Sequence, residues 1–205
     1  MIRFSFALSN TSASFWSNKA ALVLISCVGV LSVSCSPSLP DRINVPAVPI
    51  DSKVKSGAKN DSMIFVDQFA DARQNQTFVT FGDKAISHIE DLSPSVVNGM
   101  KNALRSQGFV LSDTAPIVIS GKIRNWSAQV TPGMPSKVDA ESEIFVELLD
   151  PANKRMYSGA YKGYAAVESP SIDEGDVKTA LGASMREAIT QATTDPNILR
   201  LLNSY

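Results

Sequence analysis

The N-terminal part of the chain contains the feature that most limits what it can fold into. An apolar run of fourteen residues extends from Ala20 to Val33, directly after Lys19 and further along the chain from Arg3. A basic region before a short apolar region is typical of a signal peptide, whereas a membrane-spanning helix needs about 20 apolar residues. The sequence therefore predicts a signal peptide over residues 1–34 and a folded part that is exported.

A cysteine at the end of this run is the candidate site of a lipid anchor. Ser34 precedes Cys35, and a small residue before a cysteine in this place resembles the bacterial lipobox, whose cysteine is acylated. Residues 24–27 fit the local motif better, but lipidation of Cys27 would leave a short apolar region and an apolar stretch on the mature protein. The length of the apolar region favours Cys35. An ordinary secreted protein or an uncleaved single-span anchor is the alternative.

Charge and cysteine content exclude several classes of function. Lys and Arg total 19 and Asp and Glu total 20, and without Arg3 and Lys19 of the leader the balance is 17 against 20. Binding of nucleic acid needs a clustered basic surface, so we expect no nucleic-acid partner. Both cysteines, Cys27 and Cys35, lie in the leader or at its edge. The folded part is therefore expected to have no disulfide, no cysteine metal site and no thiolate nucleophile.

The rest of the chain divides into a linker and one domain. Residues 35–62 contain four prolines among polar residues and show no helical or two-residue period, which predicts a lipid-anchored flexible tether. The apolar piece Val45–Ile50 is also compatible with an extended edge along the domain. Residues 63–205 have the length of a single globular domain.

Hydrophobic periodicity within residues 63–205 predicts an α+β fold. The patterned segments are 63–66 and 77–81 (strands), 93–108 (helix), 116–130, 140–150 and 156–167 (strands), a helix from 171 and a short helix from 196 to 202. Ser93 before Pro94 predicts the N-cap of the first helix, and the short turn at 150–153 predicts an antiparallel hairpin. The expected order is β-(β)-α-β-β-β-α-α, with an antiparallel sheet of about four strands and two main helices packed on one face.

Few residues in the domain are candidates for chemistry. His88 is the only histidine, stands in a polar stretch without a catalytic or metal motif, and is expected to be a surface residue without a role. Asp67, Asp71 and Arg73 follow the first strand and are compatible with cation binding or acid/base work. The simpler interpretation, which we favour, is that the carboxylates cap a turn and that the guanidinium pairs with one of them.

The strands carry three further patterns. Glu141, Glu143 and Glu147 alternate along one strand, which favours a solvated sheet face over a cation site. Gly159 and Gly163 lie within a strand pattern and indicate close packing or a bulge rather than nucleotide binding. An aromatic set is suited to core packing or to an interface: Trp126, Phe145, Tyr157, Tyr161 and Tyr164. We therefore expect no catalytic residue, no metal site and no cofactor, and the ligand-binding residues stay unknown.

Several strings in the domain together form a recognisable pattern: Val66-Asp67, Asp71-Ala72-Arg73, Gly82, the helix end Leu104–Phe109 and the tail Ile189–Leu202. This pattern resembles the YajG family of uncharacterised lipoproteins from Gram-negative bacteria. The resemblance implies a small α+β domain on a lipid anchor, in the outer membrane and facing the periplasm, with no established catalytic site. The lipobox around Cys35 is where the sequence departs most from the family.

These observations predict a lipid-anchored periplasmic module that binds or assembles with other components of the cell envelope and is not an enzyme. Its expected partners are the membrane, through the lipid anchor, and an envelope protein. The alternative is a carrier or sensor of a small apolar or lipid ligand, which a deep apolar cavity would favour. A hydrolase is the least favoured possibility, because no nucleophile motif or metal set can be assembled.

Overall fold

The computed structural model describes residues 39–50, 62–88 and 90–204. Eight strands and three helices lie within these ranges. The strands are β1 (Arg42–Ile43), β2 (Met63–Asp71), β3 (Val79–Phe81), β4 (Lys84–His88), β5 (Val110–Leu111), β6 (Ile117–Thr131), β7 (Ser136–Leu149) and β8 (Arg155–Ser169). The helices are α1 (Ser93–Ser106), α2 (Glu174–Thr194) and α3 (Pro196–Leu202). The predicted signal peptide and the two cysteines, Cys27 and Cys35, lie outside the described residues.

All eight described strands belong to one mixed sheet organised around β6. The first half of β6 pairs with β2 and its second half with β3, both in parallel. Its other side pairs antiparallel with β7, and β7 pairs antiparallel with β8. Beyond β2 lies β5 in parallel, while β4 pairs antiparallel with β3 and parallel with β1.

The prediction of an antiparallel sheet of about four strands is therefore wrong, although the domain is α+β. The sheet has eight strands, and its pairings through β2 and β3 to β6 are parallel. The alternation of apolar and polar residues in β6 is the same whether its neighbour runs parallel or antiparallel, so the periodicity could not indicate the direction. The antiparallel order of β6, β7 and β8 agrees with the predicted hairpin.

The helices form where their sequence patterns predict them. Val96, Met100 and Leu104 of α1 are buried, and α2 buries the whole predicted apolar stripe between Val177 and Ala192. The capping expectation for Ser93 is wrong: Leu92 holds the N-cap position, and the Ser93 hydroxyl instead accepts the N–H of Phe69 at 3.1 Å. Helix α1 packs on β2, and α2 packs on β6, β7, β8 and α1.

Residues 39–50, which fall within the predicted tether, pack against the two helices. Leu39, Ile43, Val45 and Val48 are buried, and β1 adds to the sheet beside β4. The segment fits where α1 and α2 carry glycines: a Cβ at Gly99 would lie 3.0 Å from Val48 Cβ, and one at Gly182 would lie 3.1 Å from the Ala47 carbonyl oxygen. The packed part of the chain thus begins before residue 63, as the extended-edge interpretation of Val45–Ile50 anticipated.

Candidate docking edge

Strand β8 has one side that pairs with β7 and one side that pairs with no strand among the described residues. The backbone N–H of Tyr164 donates to Glu187 of α2 at 2.7 Å, so it points away from β7. Backbone groups in a strand point alternately to its two sides, and the pairing of β7 with β8 is regular from Tyr157 to Ser169. The N–H and C=O groups of the even-numbered residues from 158 to 168 therefore point to the open side.

A groove runs between this open side and helix α2. It has a volume of about 570 Å³ and is lined by Tyr164, Ala165 and Ala166 from the strand. The helix contributes polar and charged side chains, among them Arg186, Glu187, Thr190 and Gln191. The same three strand residues line a second hollow of about 430 Å³, together with Asp139 and Glu141 of β7. Residues 164–166 therefore border one hollow on the helix face of the sheet and another on the opposite face.

The local sequence explains why the edge is accessible at this point. Gly163 allows β8 to approach α2 closely, since a Cβ there would overlap the Ser184 carbonyl oxygen and lie 2.7 Å from the Ala188 nitrogen. Ala165 and Ala166 follow with side chains of a single methyl group, so they leave the backbone uncovered. Tyr164 is 56% exposed, which is unusual for a large aromatic side chain.

The acidic residues of β7 lie on the sheet face opposite the helices. Glu143 pairs with Arg124 at 3.5 Å and with Lys162 at 3.3 Å, and Glu147 pairs with Arg155 at 2.9 Å. Exposed pairs of this kind contribute about 0–1 kcal/mol each. No three His, Asp or Glu side chains among the described residues are placed to hold a metal ion. This arrangement corresponds to a solvated sheet face.

Arg73 pairs with Asp71, as the spacing in the sequence predicted, but the guanidinium is almost completely buried. Its side chain is 1% exposed, and Nε and Nη2 donate to the two Asp71 carboxylate oxygens at 3.0 and 2.9 Å. Nη1 donates to the Trp126 carbonyl oxygen at 3.3 Å. The hydrogen bonds from Arg73 hold the pKa of the Asp71 carboxyl below its usual range. The pair therefore fixes the end of β2 to the centre of β6, whereas Asp67 is exposed.

His88 contacts this pair, which the sequence did not predict. Its Nδ1 lies 2.7 Å from the Glu90 carbonyl oxygen, which can only accept, so Nδ1 carries the ring proton. Its Nε2 is then the acceptor for Arg73 Nη2 at 2.9 Å. The ring also packs edge-on against Phe78. His88 is half-buried and both of its ring nitrogens contact groups of the domain, so it is less exposed than predicted, while the absence of a functional role stays a prediction.

Of the aromatic set, Trp126 and Tyr161 are buried, Phe145 and Tyr157 are half-buried, and Tyr164 is exposed. Trp126 is buried and donates its indole N–H to the Leu181 carbonyl oxygen at 3.0 Å. The hydroxyls of Tyr157 and Tyr161 both donate to Asp195 Oδ2, at 2.8 and 2.7 Å, at the start of α3. Burial and these hydrogen bonds raise the pKa of the Tyr161 hydroxyl. These three residues hold the domain together, and Tyr164 is the member of the set that an interface can use.

Comparison with known proteins identifies the family. Residues 52–203 match the model of a family described as uncharacterized lipoproteins. The chain belongs to this lipoprotein family. The resemblance to YajG-like lipoproteins of Gram-negative bacteria is thereby confirmed. No curated protein matches the chain. None of the described helices of this family member combines the length and hydropathy needed to cross a membrane.

Several solved structures are similar to this chain at low sequence identity. A protein from Xanthomonas campestris is 14% identical, with a TM-score of 0.58 over 80% of this chain and 98% of its own. The PelC dodecamer from Paraburkholderia phytofirmans is 15% identical, with a TM-score of 0.39 over 70% of this chain and 92% of its own. A minor lipoprotein from Acinetobacter baumannii is 9% identical, with a TM-score of 0.38 over the same shares. The first of these similarities supports the fold and carries no function.

Proposed function

We propose that this family member is a non-catalytic module, anchored through a lipid on Cys35 to the periplasmic face of the outer membrane, which binds a protein partner along the open edge of β8. The observation that carries the proposal is the open edge of β8 at residues 164–166, with a hollow beside it on each face of the sheet. Backbone groups of an edge strand can accept an added strand, and neighbouring pockets then select its side chains. Membership of a lipoprotein family supports the anchor.

The surroundings of the titratable residues support a non-catalytic role. His88 has one ring nitrogen against a backbone carbonyl and the other against Arg73, so neither is directed at a substrate. Arg73 and Asp71 satisfy each other and connect two strands. A general base must reach the proton that it removes. These groups therefore contact other groups of the domain, and none of them is directed at a position where a substrate could bind.

The lining of the groove favours a protein over an apolar ligand. Sites for small apolar ligands are concave and lined mainly by hydrophobic side chains. The groove beside β8 is open and includes the charged residues Arg186 and Glu187 with the polar residues Thr190 and Gln191. Such a lining is suited to an extended peptide, whose backbone supplies hydrogen-bonding groups.

The anchor is tested by the mass of the N-terminal peptide from membrane fractions of cells that express the full chain. We expect a peptide that begins at Cys35 and carries acyl chains. Cys35→Ser should abolish the modification, and the control Cys27→Ser should leave it unchanged. An unmodified N-terminus or an intact leader would refute the anchor.

The docking edge is tested by two proline substitutions in the same strand. Ala166 and Ala160 are both exposed, and the N–H of each points to the open side, so proline at either position removes no hydrogen bond to β7. Of the two, Ala166 alone borders the hollows. We expect in-cell crosslinking to give an adduct of defined mass that Ala166→Pro abolishes and Ala160→Pro retains, at equal expression. Adducts that respond equally to both variants, or no adduct, would contradict docking at this edge.

A further inference from the structure

The outward-facing residues of β8 form a pattern that is complementary to itself. Lys162, Tyr164, Ala166 and Glu168 point to the open side with their backbone groups and are all exposed. When two copies of one strand pair antiparallel about a twofold axis, residues equally far before and after the axis face each other. The axis position therefore decides which of these four residues meet.

One position of the axis places unlike charges opposite each other. An axis at Lys162 or at Glu168 places like charges opposite each other, which destabilises a strand pair. An axis at Tyr164 or at Ala166 leaves both charges opposite uncharged residues. An axis at Ala165 places Lys162 opposite Glu168 twice, and it places Tyr164 opposite Ala166 twice. In this register the facing even-numbered residues exchange backbone hydrogen bonds, as the direction of the Tyr164 N–H requires.

We propose that the partner of the β8 edge is a second copy of this chain, paired antiparallel about a twofold axis through Ala165. The inference rests on the proposed docking edge and names its occupant. The two sheets then join into one, with Lys162 of each copy beside Glu168 of the other. Each exposed Tyr164 ring covers the small Ala166 side chain of the other copy, which removes apolar surface from water.

The groove provides room for this pairing. On the helix side of the sheet, the hollow beside residues 164–166 receives the same residues of the second copy. The Tyr164 N–H then exchanges its acceptor, from the Glu187 carboxylate to the Ala166 carbonyl oxygen of the second copy. The Lys162 side chain is 59% exposed beside Glu143 and can turn toward the other strand, because an exposed pair contributes little.

Disulfide formation in the membrane tests the axis directly. The experiment uses the full chain in intact membranes with Cys27→Ser as the parent, which retains Cys35. In the proposed register the two residues at position 165 form a non-hydrogen-bonded pair with Cα atoms about 4.5 Å apart, within the range of a disulfide. We expect Ala165→Cys to give a covalent dimer on mild oxidation. Val167→Cys is the matched control, since its two copies would lie about 14 Å apart.

Charge reversal in the Ala165→Cys chain is a second test of the same register. Lys162→Glu or Glu168→Lys alone places like charges opposite each other twice, and we expect the crosslinked dimer to decrease about tenfold. Both substitutions together restore unlike charges and should restore the dimer. Thermal unfolding of each variant shows whether the fold is retained.

The outcomes separate this inference from the proposed function. Dimers at position 165 that are lost on single reversal and recovered in the double variant support the second copy. Dimers that form equally at 165 and 167, or that do not respond to the charges, overturn the register. An Ala166→Pro-sensitive adduct with a different protein overturns the second copy and leaves the docking edge standing. Absence of every edge-dependent adduct overturns both.

Discussion

Replacement of Arg73 tests how much the buried guanidinium adds, as a side-chain connection, to the backbone pairing of β2 with β6. Arg73→Met keeps an unbranched chain of similar reach and removes the charge and every donor. The Trp126 carbonyl oxygen then loses its hydrogen bond from Arg73, and an unsatisfied buried acceptor lowers the free energy of unfolding by about 1–3 kcal/mol. Asp71 loses two charge-assisted hydrogen bonds, but its side chain is 25% exposed and water compensates in part. Removal of one partner from a fully buried pair costs about 3–5 kcal/mol.

We therefore expect Arg73→Met to lower the free energy of unfolding by about 3 kcal/mol, at the lower end of the range for a buried pair. The assay is urea unfolding of the full chain in a mild detergent, followed by far-ultraviolet circular dichroism, with the slope compared between variants. Arg73→Lys should lie between wild type and Arg73→Met, because an ammonium keeps the charge but lacks the planar fork.

Arg124→Met is the matched control for this measurement. Arg124 also lies close to a carboxylate, but it is exposed, its distance to Glu143 is 3.5 Å, and its guanidinium stacks on the Phe145 ring at 4.3 Å. We expect a cost of no more than about 1 kcal/mol. An Arg73→Met chain within about 1 kcal/mol of wild type, or no less stable than Arg124→Met, would refute the reasoning.

Three further substitutions test other contacts of the fold. Asp71→Asn should make the free energy of unfolding less dependent on pH in acid. Arg73 lowers the folded pKa of Asp71, so this carboxylate stabilises the fold above its unfolded pKa, and the stabilisation is lost as the pH falls through the folded pKa. Unfolding curves recorded from neutral to strongly acidic pH test this prediction. Gly163→Ala should destabilise by about 1–3 kcal/mol, since the new methyl group meets the Ser184 backbone; the urea midpoint measures it. Asp195→Ala should cost about 1–3 kcal/mol in the same assay, because α3 loses its N-cap and two tyrosine hydroxyls lose their acceptor.

Elements whose signal is local could be predicted from the sequence. The stripe of α2, the Asp195-Pro196 start of α3 and the alternation in β7 each depend on residues that are close along the chain. The Asp71–Arg73 pair belongs to the same class, because its members are two residues apart. Short-range periodicity and spacing contain this information directly.

Elements whose partners are distant along the chain could not be predicted. Strand β1 has two residues in a proline-rich segment, and the burial of that segment depends on the glycine positions of α1 and α2. Strand β4 follows the turn at Gly82 and has the composition of a polar stretch, since its Ile86 is the one fully buried side chain. Their positions are set by tertiary contacts, which override local preference.

The candidate site belongs to the second class. The pattern of β8 predicts a strand but not that it is the last of the described strands at its end of the sheet, because this depends on which strands pair elsewhere. Gly163 and the small residues at 165 and 166 were visible in the sequence, and the glycine indicated close packing. Their meaning for docking required the position of α2, because Glu187 meets the backbone of Tyr164 only in the folded chain.

Substitution of Glu187 tells whether the edge of β8 is protected from pairing or pairs with a second copy. Its carboxylate accepts the Tyr164 N–H at 2.7 Å, and a charged side chain at an edge is one way in which proteins prevent unwanted pairing. Glu187→Ala removes this acceptor. If a second copy pairs here, its Ala166 carbonyl oxygen no longer competes with the carboxylate, so the disulfide-linked fraction of the Ala165→Cys chain should rise and the Tyr164 amide should stay protected from hydrogen exchange. If the edge is only protected, the same substitution should accelerate exchange at Tyr164 and leave the chain monomeric. Thr190 lines the same groove without contacting the Tyr164 N–H, so Thr190→Ala is the control and should change neither the disulfide-linked fraction nor the exchange rate at Tyr164.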